Sequence, residues 1–367
     1  MSEENKARNK QDDVVNNEEA ATVVEVLAKE VTSDIPKHIG LDVGTNTIVA
    51  SKISDDGGAV FKMQRDCFYR IVPKSEVNKN SIKMSLDKRQ SNYFIDEDGS
   101  FLVIGEDALD IAIERHDVSE RPLQKGVISP QNRKSLPILK RIIKDLVGTS
   151  NVEGSKLVYS VPAAPIDQNF DIVYHTEILN MYFKELGYTA SPINEAFAIA
   201  LSELLDDGLT GIAISFGAGM VNTCVINQGD PLIELSLTRS GDHIDQSVGR
   251  ALDMSPSLVQ QEKESGIDLN NLKGGIQEAI GVYYNAVIKY TLESIAYELN
   301  RRKKDLPIFK DDVPLIMAGG LTLAGGFVEK VKGVLATVDF PLRVSDVRLA
   351  SNPMTSVSNG CLLAANL

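Results

Sequence analysis

Apolar residues recur along this chain in two rhythms, and the rhythm changes at glycine-rich breaks. Ile39, Leu41 and Val43 alternate with small or polar positions, the chain turns through Gly44-Thr45-Asn46-Thr47, and Ile48-Val49-Ala50 resumes. That pattern predicts a hairpin with Asp42 carried inside its first strand. Further strands are predicted over 59–65 and 67–72, followed by a span rich in Lys, Ser and Asn to about Asn92 in which no element is predicted. YFIDEDGSFLVIG reads as two short strands about an Asp-Gly turn. EDALDIAIERH and SPQNRKSLPILKRIIKDLVG space their apolar residues at i, i+3 and i+4 and read as helices. KLVYSVPAAP is a buried strand ending at Pro162, and QNFDIVYHTEILNMYFKELG is a helix closed by Gly187. A strand over 189–193 and a helix over 194–205 follow, then three strands in GIAISFGAGMVNTCVINQGDPLIELSLTRSG. Helices are predicted over 244–252, 257–265 and 274–303, then the strand PLIMA entering Gly319-Gly320, and a last helix, strand and helix. The order βββαβα thus occurs twice, with insertions, which predicts an α/β architecture.

Residues 1–36 stand apart. A charged, polar lead precedes EEAATVVEVLAKEV, where Val23, Val24, Leu27 and Val31 share a helical face. The flanking charges are largely acidic, unlike the Lys and Arg of a membrane-surface helix, so a flexible tail or the attachment point of a protein adaptor is expected there.

Composition narrows the classes. The chain has 367 residues, 43% hydrophobic and 24% charged, enough for about two lobes with a substantial core. A formal net charge of -13 argues against a general nucleic-acid binder, which needs clustered Lys and Arg. Cys67, Cys224 and Cys361 lack CxxC spacing and read as reduced, buried thiols; His38, His116, His175 and His243 are scattered without zinc spacing. No apolar run reaches the roughly 18 residues of a membrane span, and no signal-peptide core is visible, so a cytoplasmic protein without an integral membrane segment is expected.

Candidate chemistry lies at three turns where an apolar strand meets glycine: Gly44-Thr45-Asn46-Thr47, Gly217-Ala218-Gly219, and Gly319-Gly320 with Gly325-Gly326. Glycine lets backbone N–H groups converge on an anion, and hydroxyls or a helix N-terminus add donors. Neither a P-loop nor a dinucleotide-binding GxGxxG is present.

In this order, the motifs resemble the actin-like ATPases, of the bacterial MreB and MamK type, over about residues 38–367. Asp42 to Thr47 is similar to the family's first phosphate loop, and Gly217-Ala218-Gly219 sits where the second lies. Asn194 to Ala200 resembles the connecting helix, with Ala196 in place of its proline; Ser240 to Asp245 resembles the segment after the second loop. Ala318-Gly319-Gly320 through Gly325 resembles the adenosine motif, and Val103 to Ser129 the small-subdomain insert.

The resemblance implies a two-lobed fold, each lobe a mixed sheet flanked by helices. The first lobe would span 37–192 with an insert at about 68–135, and the second 193–350 with an insert at about 253–308. Residues 351–367 would form a helix returning to the first lobe. ATP and Mg²⁺ are implied between the lobes, with Asp42 holding the metal through its waters and Glu195 orienting the attacking water. Gly44, Thr45, Asn46 and Thr47 would meet the phosphates from one side and Ser215, Gly217, Ala218, Gly219 and Gly241 from the other. Gly319, Gly320 and Leu321 would border the adenosine, and Gln260 and Lys263 the ribose. Blander readings stand beside these: a turn-capping carboxylate for Asp42, a helix-dipole charge for Glu195, and a solvated face for Gln260 and Lys263.

The second loop departs from the family's D-x-G-x-G-T, because it reads Ser215-Phe216-Gly217-Ala218-Gly219-Met220. Losing a carboxylate near the metal weakens the electrostatics of phosphoryl transfer. The expected protein therefore binds ATP, self-associates into filaments and hydrolyses slowly or poorly. The alternative is a non-polymerising, nucleotide-responsive scaffold or Hsp70-like regulator, with a sugar or acetate kinase a more distant third.

Overall fold

The computed structural model describes residues 37–128 and 135–367. The helical face expected at Val23, Val24, Leu27 and Val31 lies outside the described residues, as does the start of the helix expected from Ser129.

Two five-stranded sheets dominate. Numbering strands in chain order, β1 (Ile39–Val43), β2 (Thr47–Ile53) and β3 (Ala59–Arg65) form an antiparallel meander. The other edge of β1 is extended in parallel by β9 (Lys156–Val161) and β10 (Thr189–Asn194). The second sheet repeats the arrangement. A meander of β11 (Gly211–Phe216), β12 (Val221–Asn227) and β13 (Asp230–Leu237) is extended by the parallel strands β14 (Val313–Ala318) and β15 (Val344–Leu349). The orders β10-β9-β1-β2-β3 and β15-β14-β11-β12-β13 are the same. β11 and β14 are buried along their whole length, which is why they read as near-continuous apolar runs.

Helices cover both faces of each sheet. Ser135–Val147 and Val173–Glu185 set Ile138, Ile142 and Phe183 against Leu41, Ile48 and Tyr159 on one face of the first sheet. The helix Ser356–Asn366 covers the other face: Ser51 Oγ donates to Ser358 O at 2.7 Å, and a Cβ on Gly40 would overlap the helix backbone. On the second sheet, Gly275–Arg301 and Phe327–Leu335 pack on the face of Ile214 and Phe216, while Glu195–Glu203 packs on the face of Ala213 and Cys224. The helices Glu195–Glu203 and Ser356–Asn366 meet at Gly360, which lies against the Ala198 backbone.

The polar span before Asn92 is a correction. It holds a helix, Glu76–Arg89, in which Leu86 is buried, so no apolar stripe announces it. Ser75 caps its first turn by accepting from Asn78 N at 3.2 Å, and Lys83 pairs with Asp87 at 2.8 Å. A small sheet of β4 (Phe68–Ile71), β6 (Phe101–Ile104) and β5 (Tyr93–Ile95), and a two-residue hairpin of β7 (Leu123–Gln124) and β8 (Val127–Ile128), complete the described strands. Cys67, Cys224 and Cys361 are all free and buried.

Candidate functional site

The β1–β2 and β11–β12 hairpins aim their tips at each other. Gly219 is where they meet: a Cβ there would overlap Thr45 Oγ1 and the Gly126 amide, which donates to that same hydroxyl at 3.1 Å. The third turn joins from β14. Gly319, at φ 93°, holds a left-handed conformation against the Phe216 backbone that a side chain would clash with. Beneath these turns lies a cavity of about 360 Å³. Asp42, Gly44, Thr45, Asn46 and Thr47 line it from the first sheet's side. Glu195, Ser215, Gly217, Ala218, Gly219, Gly241, Gln260, Lys263, Gly319, Gly320 and Leu321 line it from the other, whereas Gly325 and Gly326 lie against Asp268 and Asn270 and do not line it. Ile267, Tyr284, Leu323, Ala324, Met354 and Val357 add an apolar portion, and a cavity with a few convergent polar groups and apolar walls suits a small molecule.

Five carboxylates line this cavity; Asp242, Asp245 and Glu264 are paired with Arg121, Lys263 and Arg65, while Asp42 and Glu195 are held by neutral groups. Asp42 Oδ1 accepts from Ser160 Oγ at 2.9 Å, and Ser160 in turn accepts from the Val43 amide at 3.0 Å. Glu195 begins its helix after the cap Asn194, and its two oxygens accept from Ser215 Oγ and from Asn222 Nδ2, the latter at 2.8 Å. Both carboxyls keep a partly exposed edge toward the cavity while dense protein surrounds the rest. Burial raises both above the usual carboxylate range; Asp42's charge raises Glu195 further, and the Ser160 and Ser215 hydroxyls oppose the shift. The pair therefore resists carrying two negative charges without a neighbouring cation.

Polar bridges cross the cleft above the cavity. Arg65, at the end of β3, donates to Glu264 at 2.9 Å and Glu106 at 2.6 Å. Arg121 reaches Asp242 at 2.6 Å and Gln260 Oε1 at 2.8 Å, while Gln260 Nε2 donates to Asn46 at 3.1 Å and Glu264 at 2.7 Å. Lys263 is paired with Asp245 at 2.7 Å and donates to Gly241 O at 3.2 Å. The polar atoms of Gln260 and Lys263 are thus engaged within the protein, and a ligand that used either would have to exchange one of these bonds.

The chain matches the profile of the Volactin family over residues 37–365. It belongs to that family. Its structure is similar to the MamK double helical filament, with a TM-score of 0.64 and 17% identity over 91% of this chain and 99% of that one. It is similar to MreB 5 of Spiroplasma citri bound to AMPPNP, with a TM-score of 0.61 and 17% identity over 89% and 95%. It is also similar to the ethanolamine utilization protein EutJ from Carboxydothermus hydrogenoformans, with a TM-score of 0.52 and 14% identity over 95% and 99%. This Volactin-family chain accordingly has the two-lobed, actin-like α/β fold of those structures. A comparison with curated proteins found no match. No helix among the described residues is long and apolar enough to cross a membrane.

Sequence reasoning missed the residues that hold the candidate groups in place. Ser160 sits two residues before Pro162 in a strand read as apolar, and Asn222 lies in VNTCVIN, where a polar residue on a buried strand was the available signal. Arg65 and Arg121 carried no signal, because their partners Glu264 and Asp242 are distant in sequence.

Proposed function

We propose that the chain is an actin-like cytoskeletal protein that binds ATP with Mg²⁺ in the cleft and assembles head-to-tail into filaments, hydrolysing slowly. The observation that carries this reading is the convergence of three glycine turns and the Asp42–Glu195 pair on one cavity between two like sheets. Backbone N–H groups at the tips and the Thr45 and Thr47 hydroxyls would take the phosphates, and the apolar portion around Tyr284, Leu321 and Met354 the base. In support, solved MamK and MreB 5 structures of this fold carry AMPPNP or ADP.

The carboxyls fit a divalent cation that arrives on phosphates. Among the described residues no group of three or more His, Cys, Asp or Glu forms a protein cage, whereas Mg²⁺ keeps most of its waters and takes one or two carboxylates. Asp42 would hold it, and a bound cation supplies charge neutralisation at the phosphates. Glu195 would orient the attacking water. Ser215, standing where the second phosphate loop of the actin-like ATPases that the chain resembles has aspartate, adds no charge and directs its hydroxyl to Glu195, which favours slow turnover. Heterologous contacts that do not close produce open polymers. In this reading the lobes are 37–192 and 193–350 with 351–367 returning to the first, the protein acts in the cytoplasm, its main partners are further copies of itself, and residues 1–36 receive any adaptor.

The second reading, a monomeric nucleotide-responsive scaffold, is favoured by the same Ser215–Glu195 bond. Pelleting with and without ATP and Mg²⁺, followed by electron microscopy, separates the two. Filaments that appear with nucleotide above a critical concentration are the expected result; a monomer at tens of micromolar with an ATP-raised melting temperature selects the scaffold.

A further inference from the structure

The second sheet carries a polar row that starts at Ser215 and runs on through two residues the nucleotide reading does not use, Asn222 and Ser236. Ser215 on β11 stands directly opposite Asn222 on β12, and Asn222 directly opposite Ser236 on β13. Directly opposed residues project to the same face, here the one covered by the helix that Glu195 begins. Ser236 is fully buried behind the cavity wall, and Asn222, which borders the cavity, is only 1% exposed. The bonding direction along the row is fixed. Ser236 Oγ donates to Asn222 Oδ1, which leaves Asn222 Nδ2 to face Glu195 Oε2 at 2.8 Å, while Ser215 Oγ takes Oε1. Each oxygen of Glu195 thus has its own donor, on one side of a carboxyl whose other side opens to the cavity.

We propose that Asn222 is the positioning residue for Glu195, oriented by Ser236, and that this relay sets how well Glu195 is aimed at a water in the cleft. The inference rests on the reading of Glu195 as the group that orients the attacking water. Without the amide, the carboxyl keeps one fixed oxygen and can swing about its terminal torsion, and a small misplacement of a reacting group costs rate while leaving ligand contacts intact. A packing role alone would instead lower stability and leave the rate of folded protein unchanged.

The test measures phosphate release and ATP affinity for wild type, Asn222→Ala, Ser236→Ala and Ser236→Thr, with thermal unfolding of Asn222→Ala, Glu195→Ala and their double variant without nucleotide. Asn222→Ala is expected to lower kcat about tenfold with KM within about twofold, Ser236→Ala to lower it less, and Ser236→Thr to restore it because the hydroxyl returns. In unfolding, the double variant should lose less than the sum of the two single losses, since both remove one contact. An unchanged kcat in Asn222→Ala, a raised KM with kcat intact, or additive unfolding losses would each overturn the proposal. If ATP fails to stabilise the wild type, the nucleotide reading fails instead, and the unfolding cycle still decides whether Asn222 holds Glu195.

Discussion

Superimposing the two sheets in the mind strand by strand, β1 onto β11 and β2 onto β12, aligns Asp42 with Ser215 and Val49 with Asn222. In the first half the carboxyl sits on the strand itself and is steadied from the parallel side by Ser160 of β9. In the second half the equivalent strand position carries a neutral hydroxyl, support comes from the antiparallel side through Asn222 and Ser236, and the carboxyl is delivered by a helix, as Glu195. One backbone plan thus gives a strand-borne acid in one half and a polar cradle for a helix-borne acid in the other. Between the two halves, the direction of the loop is preserved more firmly than the charge it presents.

The largest effect is expected where the halves touch. Gly219→Val would drive a branched side chain into Thr45 and the Gly126 amide and force the hairpin tips apart, costing about 3 kcal/mol or more in chemical denaturation. A loss below about 1 kcal/mol would mean the tips are not packed as described.

Next comes Gly320→Asp. A Cβ at Gly320 meets nothing within 4 Å, so the variant should fold as wild type while projecting negative charge into the cavity. The stabilisation by saturating ATP and Mg²⁺, about 3 kcal/mol at a hundredfold excess over Kd, should vanish. An intact ATP shift would remove the third turn from the site.

Ser215→Asp makes the halves alike. It places a third carboxyl beside Glu195 and Asp42, both already raised by burial, so with chelator the variant should be less stable by about 1–2 kcal/mol, and Mg²⁺ with ATP should recover the loss. It should also speed phosphate release. Equal stability of both proteins in chelator, or slower release with Mg²⁺, would break the correspondence of Asp42 with Ser215.

The smallest effect is in pH. Because Glu195 keeps its proton to a higher pH folded than unfolded, the native state binds more protons above the ordinary carboxylate range, and stability falls as pH rises toward the raised value. Glu195→Gln removes that dependence, so its stability relative to wild type should improve between pH 5 and pH 8, by about 1 kcal/mol or less because part of the carboxyl faces solvent. Denaturant melts across that range measure it; a constant difference would show that Glu195 is ionised throughout.

The doubled meander and the glycine tips were legible because strand alternation and turn glycines are local signals, and the pattern Asp42-Val43-Gly44 against Ser215-Phe216-Gly217 carries its own register. The Glu76–Arg89 helix was not, since a helix that buries Leu86 and otherwise faces solvent has no apolar period to read. Nor were the bridges from Arg65 to Glu264 and from Arg121 to Asp242, which depend on how the lobes come together. Asn222 was visible as a polar residue in an apolar strand, but its role depends on Ser236 and Glu195, neighbours that exist only across strands.

The close fit of Ser356–Asn366 on β1 has a consequence for biosynthesis. Ser51 and Ser358 are bonded across 307 positions, and Gly40 is bare so that this helix can lie on it. As the chain emerges from the ribosome, the first sheet is made early yet must wait with one face wet until the chain has been synthesised through Ser358, 307 positions after Ser51. The second sheet can cover both its faces sooner, with Glu195–Glu203 already in hand and Phe327–Leu335 soon to follow. The half encoded first is therefore the half completed last, and during that interval the exposed face of β1 and β2 is where a chaperone, or a misplaced strand, would find its opening.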